Sequence, residues 1–301
     1  MKKRLFHYII LWTIALFIVF LPDVKAQEPI SPENTSPSFT KAVTAGFPKK
    51  KLTTIIVDNY HPYTYVNKKG LPDGFSVDLV KAVTQVMGME IEFRVGPWDE
   101  AQRALAKGEI DLLPMMAYSR ERDKIFDFSA PHTIAYDAFF IRKNSKQISS
   151  IREIKYKTII VMNKDAAHDY LLLTGLIKPN QLILIDSLPD ALRMLASGKG
   201  DVALMQKLVG LLNVNNLALT NLDPSPAVID DYNRPFSFAV KEGNQALLER
   251  LTQRLGIIKS TGQYQEIYKK WFGALEQPGL PWNTVFKYIA IVAVAFLLIA
   301  L

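Results

Sequence analysis

The sequence predicts an α/β protein, with two lobes of strands covered by helices in its middle and an apolar segment at each end. Three observations predict this: an internal repeat, short apolar runs alternating with helix-period runs, and dense uncharged stretches near both termini.

The chain opens "MKKRLFHYIILWTIALFIVFLPDVKAQ", with Lys2, Lys3 and Arg4, an apolar stretch over 9–21, and Ala26 two positions after Val24. That layout predicts a secretory signal, 1–26, cleaved after Ala26; an uncleaved signal anchor is the rival reading. Under both, the basic residues stay in the cytoplasm and the chain beyond the apolar stretch is exported. Residues 27–51, with "EPISPENTSPSFT", are aperiodic and Pro/Ser/Thr-rich and read as a linker.

Within the middle, "WDEAQRALAKGEIDLLPMM" (98–116) aligns with "LPDALRMLASGKGDVALMQ" (188–206) at seven of nineteen positions. These are Ala101/Ala191, Arg103/Arg193, Leu105/Leu195, Ala106/Ala196, Gly108/Gly198, Asp111/Asp201 and Met115/Met205. Each copy reads as an amphipathic helix closed by a glycine, then a short strand after the aspartate. Strands are expected at 52–57, 91–95, 158–162 and 182–185. A helix is expected over 77–87, with Leu79, Val80, Val83, Val86 and Met87 as its apolar stripe. Strands alternating with helices predict parallel sheet covered on both faces. Ligands of such sheets bind beyond the carboxyl ends of the strands, so 58–63, 115–122, 163–167 and Gln206 would line a cleft between the lobes.

Two of those loops carry pointed chemistry. "DNYHPYTY" places Tyr60, His61, Tyr63 and Tyr65 in one turn, either as turn filler or as flat walls for a ligand, with Trp98 as a candidate opposite wall. In "MMAYSRERDKIFDFS", Ser119 can cap a short helix, and one of Arg120 and Arg122 turned inward would make a forked carboxylate site. No nucleophile elbow, HExxH, P-loop or GxGxxG occurs. The four histidines are isolated, and His168-Asp169 reads as a helix-end charge. The chain of 301 residues has no cysteine, which excludes thiolate catalysis and thiolate metal sites, and its net charge of +7 is scattered, which sets nucleic acid aside. A binder is expected, with no catalytic residue, metal or cofactor.

The stretches "DGFSVDLVKAV", "WDEAQRALAKGEIDLLP", "SRERDKIFDFSAP" and "GQYQEIYKKWFG" carry a family resemblance. From 52 to 273 the sequence resembles the type II periplasmic solute-binding proteins of the polar amino-acid branch, bacterial extracellular family 3, also found as sensor domains of membrane receptors. The resemblance implies a clamshell. One lobe would take 52–133 and 238–273, the other 139–233, with hinge segments at 134–138 and 234–237. It also implies ligand contacts. Asp58 and Tyr60 match the first binding loop, Trp98 the sandwiching aromatic, and Arg122 the arginine that grips a ligand's α-carboxylate. Ser119 shares that arginine's loop. Three departures accompany them: Met116 and Ala117 in place of small hydroxylated residues, Asp165 and Ala166 in the loop that often reads Gly-Ser-Thr, and Gln206 in place of the carboxylate that meets the α-ammonium. An ordinary amino acid and a carboxylate without an amine both stay open as ligands, and Asp165 or Asp58 could replace the missing charge.

The run "YIAIVAVAFLLIAL" (288–301) is roughly 21 Å of helix, short of the ~30 Å of a hydrocarbon core. Extended back to Trp282 it reaches about 30 Å, with Asn283 and Lys287 near the headgroups. It reads as a transmembrane helix, 282–301, cut at or before its exit, after a linker at 274–281. The expected function is thus the periplasmic sensing module of a receptor attached to the inner membrane, of the histidine kinase or diguanylate cyclase type, without its output domain. The alternative is the substrate-binding component of an ABC-type amino-acid importer. Expected partners are a small amino acid or organic acid, the membrane, and either an ABC permease or a second copy.

Overall fold

The computed structural model describes residues 51–275 apart from 228 and 230–232, together with 287, 288, 290, 291 and 293. The signal segment, nearly all of the first linker and most of the C-terminal run lie outside the described residues. Among those described, no helix is long and apolar enough to cross a membrane.

In the first lobe, β1 (Lys51–Ile56) leads to a short hairpin of β2 (Tyr65–Val66) and β3 (Pro72–Asp73), then α1 (Phe75–Val86) and β4 (Glu90–Val95). Strands β1 and β4 pair in parallel, with Leu52 opposite Ile91. Next come α2 (Trp98–Lys107), β5 (Leu112–Ala117), β6 (Phe126–Phe128) and β7 (Thr133–Ala135). The second lobe holds β8 (Asp137–Arg142), β9 (Ile159–Met162), α3 (Ala166–Leu173), β10 (Leu182–Ile185), α4 (Leu188–Ala196), β11 (Val202–Gln206), α5 (Lys207–Asn216) and β12 (Leu222–Pro224). Strand β13 (Arg234–Lys241) returns to the first lobe, followed by α6 (Gln245–Ser260) and α7 (Gln263–Phe272).

The second lobe carries a mixed sheet, and the first holds a parallel β1-β4 pair beside a separate antiparallel sheet, which corrects the expectation of parallel sheet alone. In the second lobe the order is β10-β9-β11-β8-β12, with β9 parallel to β10 and β11 but β8 antiparallel to β11 and β12. In the first, β13 runs antiparallel to β5, β6 and β7. The crossing strands cause this. Strands β8 and β13 carry the chain between lobes and lie head to tail against the ladders they join, a pairing that periodicity does not encode.

The repeat has a structural reason at most of its identical positions. Ala101 and Ala191, Leu105 and Leu195 are fully buried, and Gly108 and Gly198 close their helices at φ 78° and 84°, where a β-carbon would be strained. The Asp111 carboxylate accepts the Thr53 N–H at 2.8 Å while the Asp111 N–H donates to the Thr53 carbonyl at 3.0 Å. Asp201 makes the same exchange with Thr158, at 2.8 and 2.9 Å. One device therefore fastens a strand in each lobe.

Helix α1 buries Leu79, Val80 and Val83 completely, but Val86 is 40% exposed and Met87 half-buried, because the helix ends there and Gly88 turns the chain at φ 67°. At its other end Phe75 sits in an aromatic core. Tyr264, Tyr268 and Phe272 recur every fourth residue on α7, and their rings stand 6.0, 6.2 and 5.0 Å from that of Phe75. This spacing is what "GQYQEIYKKWFG" encodes.

His132 lies in the same core, 3% exposed, between Phe75 and Phe238, and its Nε2–H donates to the Pro114 carbonyl at 3.1 Å. Burial pulls its pKa down to about 3, against the opposing effect of that bond. The folded protein therefore holds His132 neutral while the unfolded chain takes up a proton below about pH 6.5. Stability should fall as pH drops from 6.5 towards 3, by up to about 1.4 kcal/mol per unit. Urea unfolding of the wild type and His132→Asn at pH 7, 6 and 5 checks this: the wild type should have the steeper dependence, and equal slopes would refute it.

Candidate functional site

The lobes meet through α2 and the loop after β5 on one side and the loop between β9 and α3 on the other. Arg122 opens a 3-10 turn, its N–H donating to Ser119 Oγ at 3.2 Å, while Arg120 is exposed. That turn aims the Arg122 side chain inward, where it is 4% exposed with its guanidinium centre 5.9 Å from the Trp98 ring. One nitrogen donates to Ala117 O at 3.1 Å. The others cross the cleft, to Lys164 O at 3.0 Å and Asp169 Oδ2 at 2.8 and 3.1 Å.

Lys164 is the receiving point. Its left-handed backbone, φ 52°, sets its carbonyl towards the first lobe, where Trp98 Nε1–H (2.9 Å) and Gln102 Nε2–H (3.1 Å) also donate to it. Burial pushes the Asp169 carboxyl up, opposed by the attraction of Arg122.

Behind this clasp the two crossing strands carry a second charged group. Arg234 begins β13 and is 1% exposed. It binds Asp165 through two nitrogens at 2.7 and 2.6 Å, and Asp137, at the start of β8, at 2.5 and 2.7 Å. Its Nη1 also donates to the Tyr60 hydroxyl at 3.4 Å. Burial pushes the Asp165 carboxyl up, but Arg234 outweighs it and holds the group below the usual carboxylate range. Burial also lifts the Tyr60 hydroxyl well above its ordinary value.

Between clasp and hinge lies a mostly apolar cavity of about 30 Å³, walled by Ile55, Tyr60, Trp98, Met162, Asp165 and Phe236. That holds a water or two, not an amino acid, so a solute reaches these walls only when the lobes part.

Of the sequence-predicted residues, Tyr60, Trp98 and Asp165 line this space, Arg122 and Ala117 belong to the clasp, and Ala166 is the first residue of α3. Met116 is 1% exposed and packs in the first-lobe core. The Asp58 carboxylate accepts the N–H groups of Asn59 (2.7 Å) and Val66 (2.8 Å) in its own turn. Gln206 caps α5, accepting the Val209 N–H at 2.6 Å, and lines a separate cavity with Tyr136 and Leu208. Of the aromatic turn, Tyr63 packs on Phe236 and Phe272, and His61 and Tyr65 on Trp271, so Tyr60 alone of the four faces the cleft cavity. Sequence reasoning missed Gln102, Asp137, Asp169 and Arg234. For Arg234 and Asp137 a signal existed: single charges at the head of the apolar runs "RPFSFAV" and "DAFFI".

Chemically, the cleft offers a forked cation beside an indole, facing carboxylates and apolar walls, which suits recognition of a small acid. The comparisons agree with a binding role. The model of the bacterial extracellular solute-binding proteins, family 3, matches residues 52–274. The chain is similar to a probable amino-acid ABC transporter-binding protein of Haemophilus influenzae, 23% identical over 74% of this chain and 86% of that one. It is similar to the L-cystine-binding protein TcyA of Bacillus subtilis, 24% identical over 76% of this chain and 84% of the relative. Among solved structures it is similar to a histidine kinase sensor domain with similarity to periplasmic binding proteins, at TM-score 0.70 and 33% identity, over 74% of this chain and 96% of that one.

Proposed function

This chain belongs to the bacterial extracellular solute-binding proteins, family 3, and from that premise we propose that it is the extracytoplasmic sensing module of a membrane signalling receptor that closes its lobes on an amino acid or related small carboxylate. One observation carries the ligand class: the buried Arg122 fork beside Trp98, whose donors point at the opposite lobe. A ligand that binds across both lobes favours their closed arrangement by its difference in affinity for the two states, which is the signal.

Two observations favour a sensor of the histidine kinase or diguanylate cyclase type. One is the likeness to a histidine kinase sensor domain; the other is the pair of apolar runs at 9–21 and 288–301, which would tether the clamshell on both sides. The importer component is the second reading, favoured by the relative named as an ABC transporter-binding protein. Fractionation separates the two. The sensor reading expects the whole chain to remain in the inner membrane after osmotic shock. A shortened chain released into the shock fluid would overturn it in favour of the importer.

A further inference from the structure

An α-amino acid brings two charges to the cleft, and the position that would meet its ammonium holds Gln206, a neutral amide already capping α5. The carboxylates expected to replace it are engaged elsewhere, Asp165 by both forks of Arg234 and Asp58 by the N–H groups of its own turn. The carboxylate that faces Arg122 across the cleft is Asp169, in the first turn of α3, with a side chain 34% exposed.

We propose that Arg122 and Asp169 are the two halves of a zwitterion site: the ligand's α-carboxylate displaces Asp169 from Arg122, and the ligand's ammonium is received by Asp169. This rests on the reading of the cleft as an amino-acid or carboxylate site, and it narrows the class to α-amino acids. Inserting a zwitterion into this ion pair leaves every charge paired. Inserting a bare carboxylate leaves Asp169 facing a second anion without a cation of its own. An ammonium carries three donors, and the acceptors that Arg122 now uses, Asp169 Oδ2 and the Lys164 carbonyl, stand side by side to take them. The ligand's side chain would then lie along the apolar walls of Trp98, Ile55, Met162 and Phe236.

The test compares each amino acid with its des-amino acid on the full chain. Calorimetric titrations with the twenty protein amino acids identify the tightest, and its des-amino acid is titrated beside it. The wild type should favour the amino acid at least tenfold. In Asp169→Asn, and in Asp169→Ser as a second variant, that preference should fall to about threefold or less. Losing the clasp alters closure for both ligands alike, so the ratio isolates the contact with the ammonium. A preference unchanged in both variants, or a wild type that binds the des-amino acid equally well, overturns this assignment and leaves the cleft reading standing. A wild type that binds no amino acid and no des-amino acid overturns both.

Discussion

Alanine at Arg234 is expected to cost about 3–5 kcal/mol of stability, because it strands two carboxylates in the hinge without their cation. The side chains of Asp137 and Asp165 are 0% and 8% exposed, and both lean on one guanidinium. Water cannot replace it there without the strands parting. That burial also sets the sign of the pH dependence. Stranded, buried carboxyls bind protons more readily folded than unfolded, so the deficit should be greatest near pH 7 and shrink on acidification. Arg234→Lys should recover only part, since an ammonium cannot fork to two carboxylates. Urea unfolding at pH 7 and pH 5 reads both effects; a loss below about 1 kcal/mol at pH 7 would mean that the hinge charges are solvated.

Alanine at Arg122 should act on binding instead. Truncating a buried cation that grips a ligand's carboxylate costs roughly 2–5 kcal/mol of affinity, a hundredfold loss at about 2.7 kcal/mol. Stability should change little, because the freed Asp169 is one-third exposed and can be rehydrated. The expected pair of results is an affinity lower by a hundredfold or more and a thermal midpoint close to the wild type. Unchanged affinity would take Arg122 out of the site.

These two arginines also mark where the sequence was legible. Arg122 belongs to a local pattern: a serine cap three residues before it, a turn, and a motif matched residue by residue. The repeated helix, closing glycine and aspartate were legible in the same way, because their spacing recurs in both copies, although the Thr53 and Thr158 groups that the aspartates fasten lie 58 and 43 residues away. Arg234 and its partners are 69 and 97 residues apart, and nothing within a segment announces such a pairing. Asp169 looked like a helix-end charge because it is one; what sequence leaves out is that α3 turns that end towards Arg122. The aromatic turn misled in the opposite direction. Tyr63 and Tyr65 have the composition of a ligand wall, yet the returning α7 brings Phe272 against Tyr63, which becomes core, and Trp271 against Tyr65, which stays half-buried.

The most direct test of the central claim, that the cleft between the lobes receives a small acid on Arg122, is calorimetric titration of the full chain with the twenty amino acids and a set of small organic acids, paired with thermal midpoints. The account predicts saturable binding of one molecule per chain for at least one of them. Stability should rise with ligand concentration by RT ln(1 + [L]/Kd), carrying the midpoint up with it, and both effects should be lost in Arg122→Ala. No binding and no shift with any of these ligands up to millimolar concentration would contradict it.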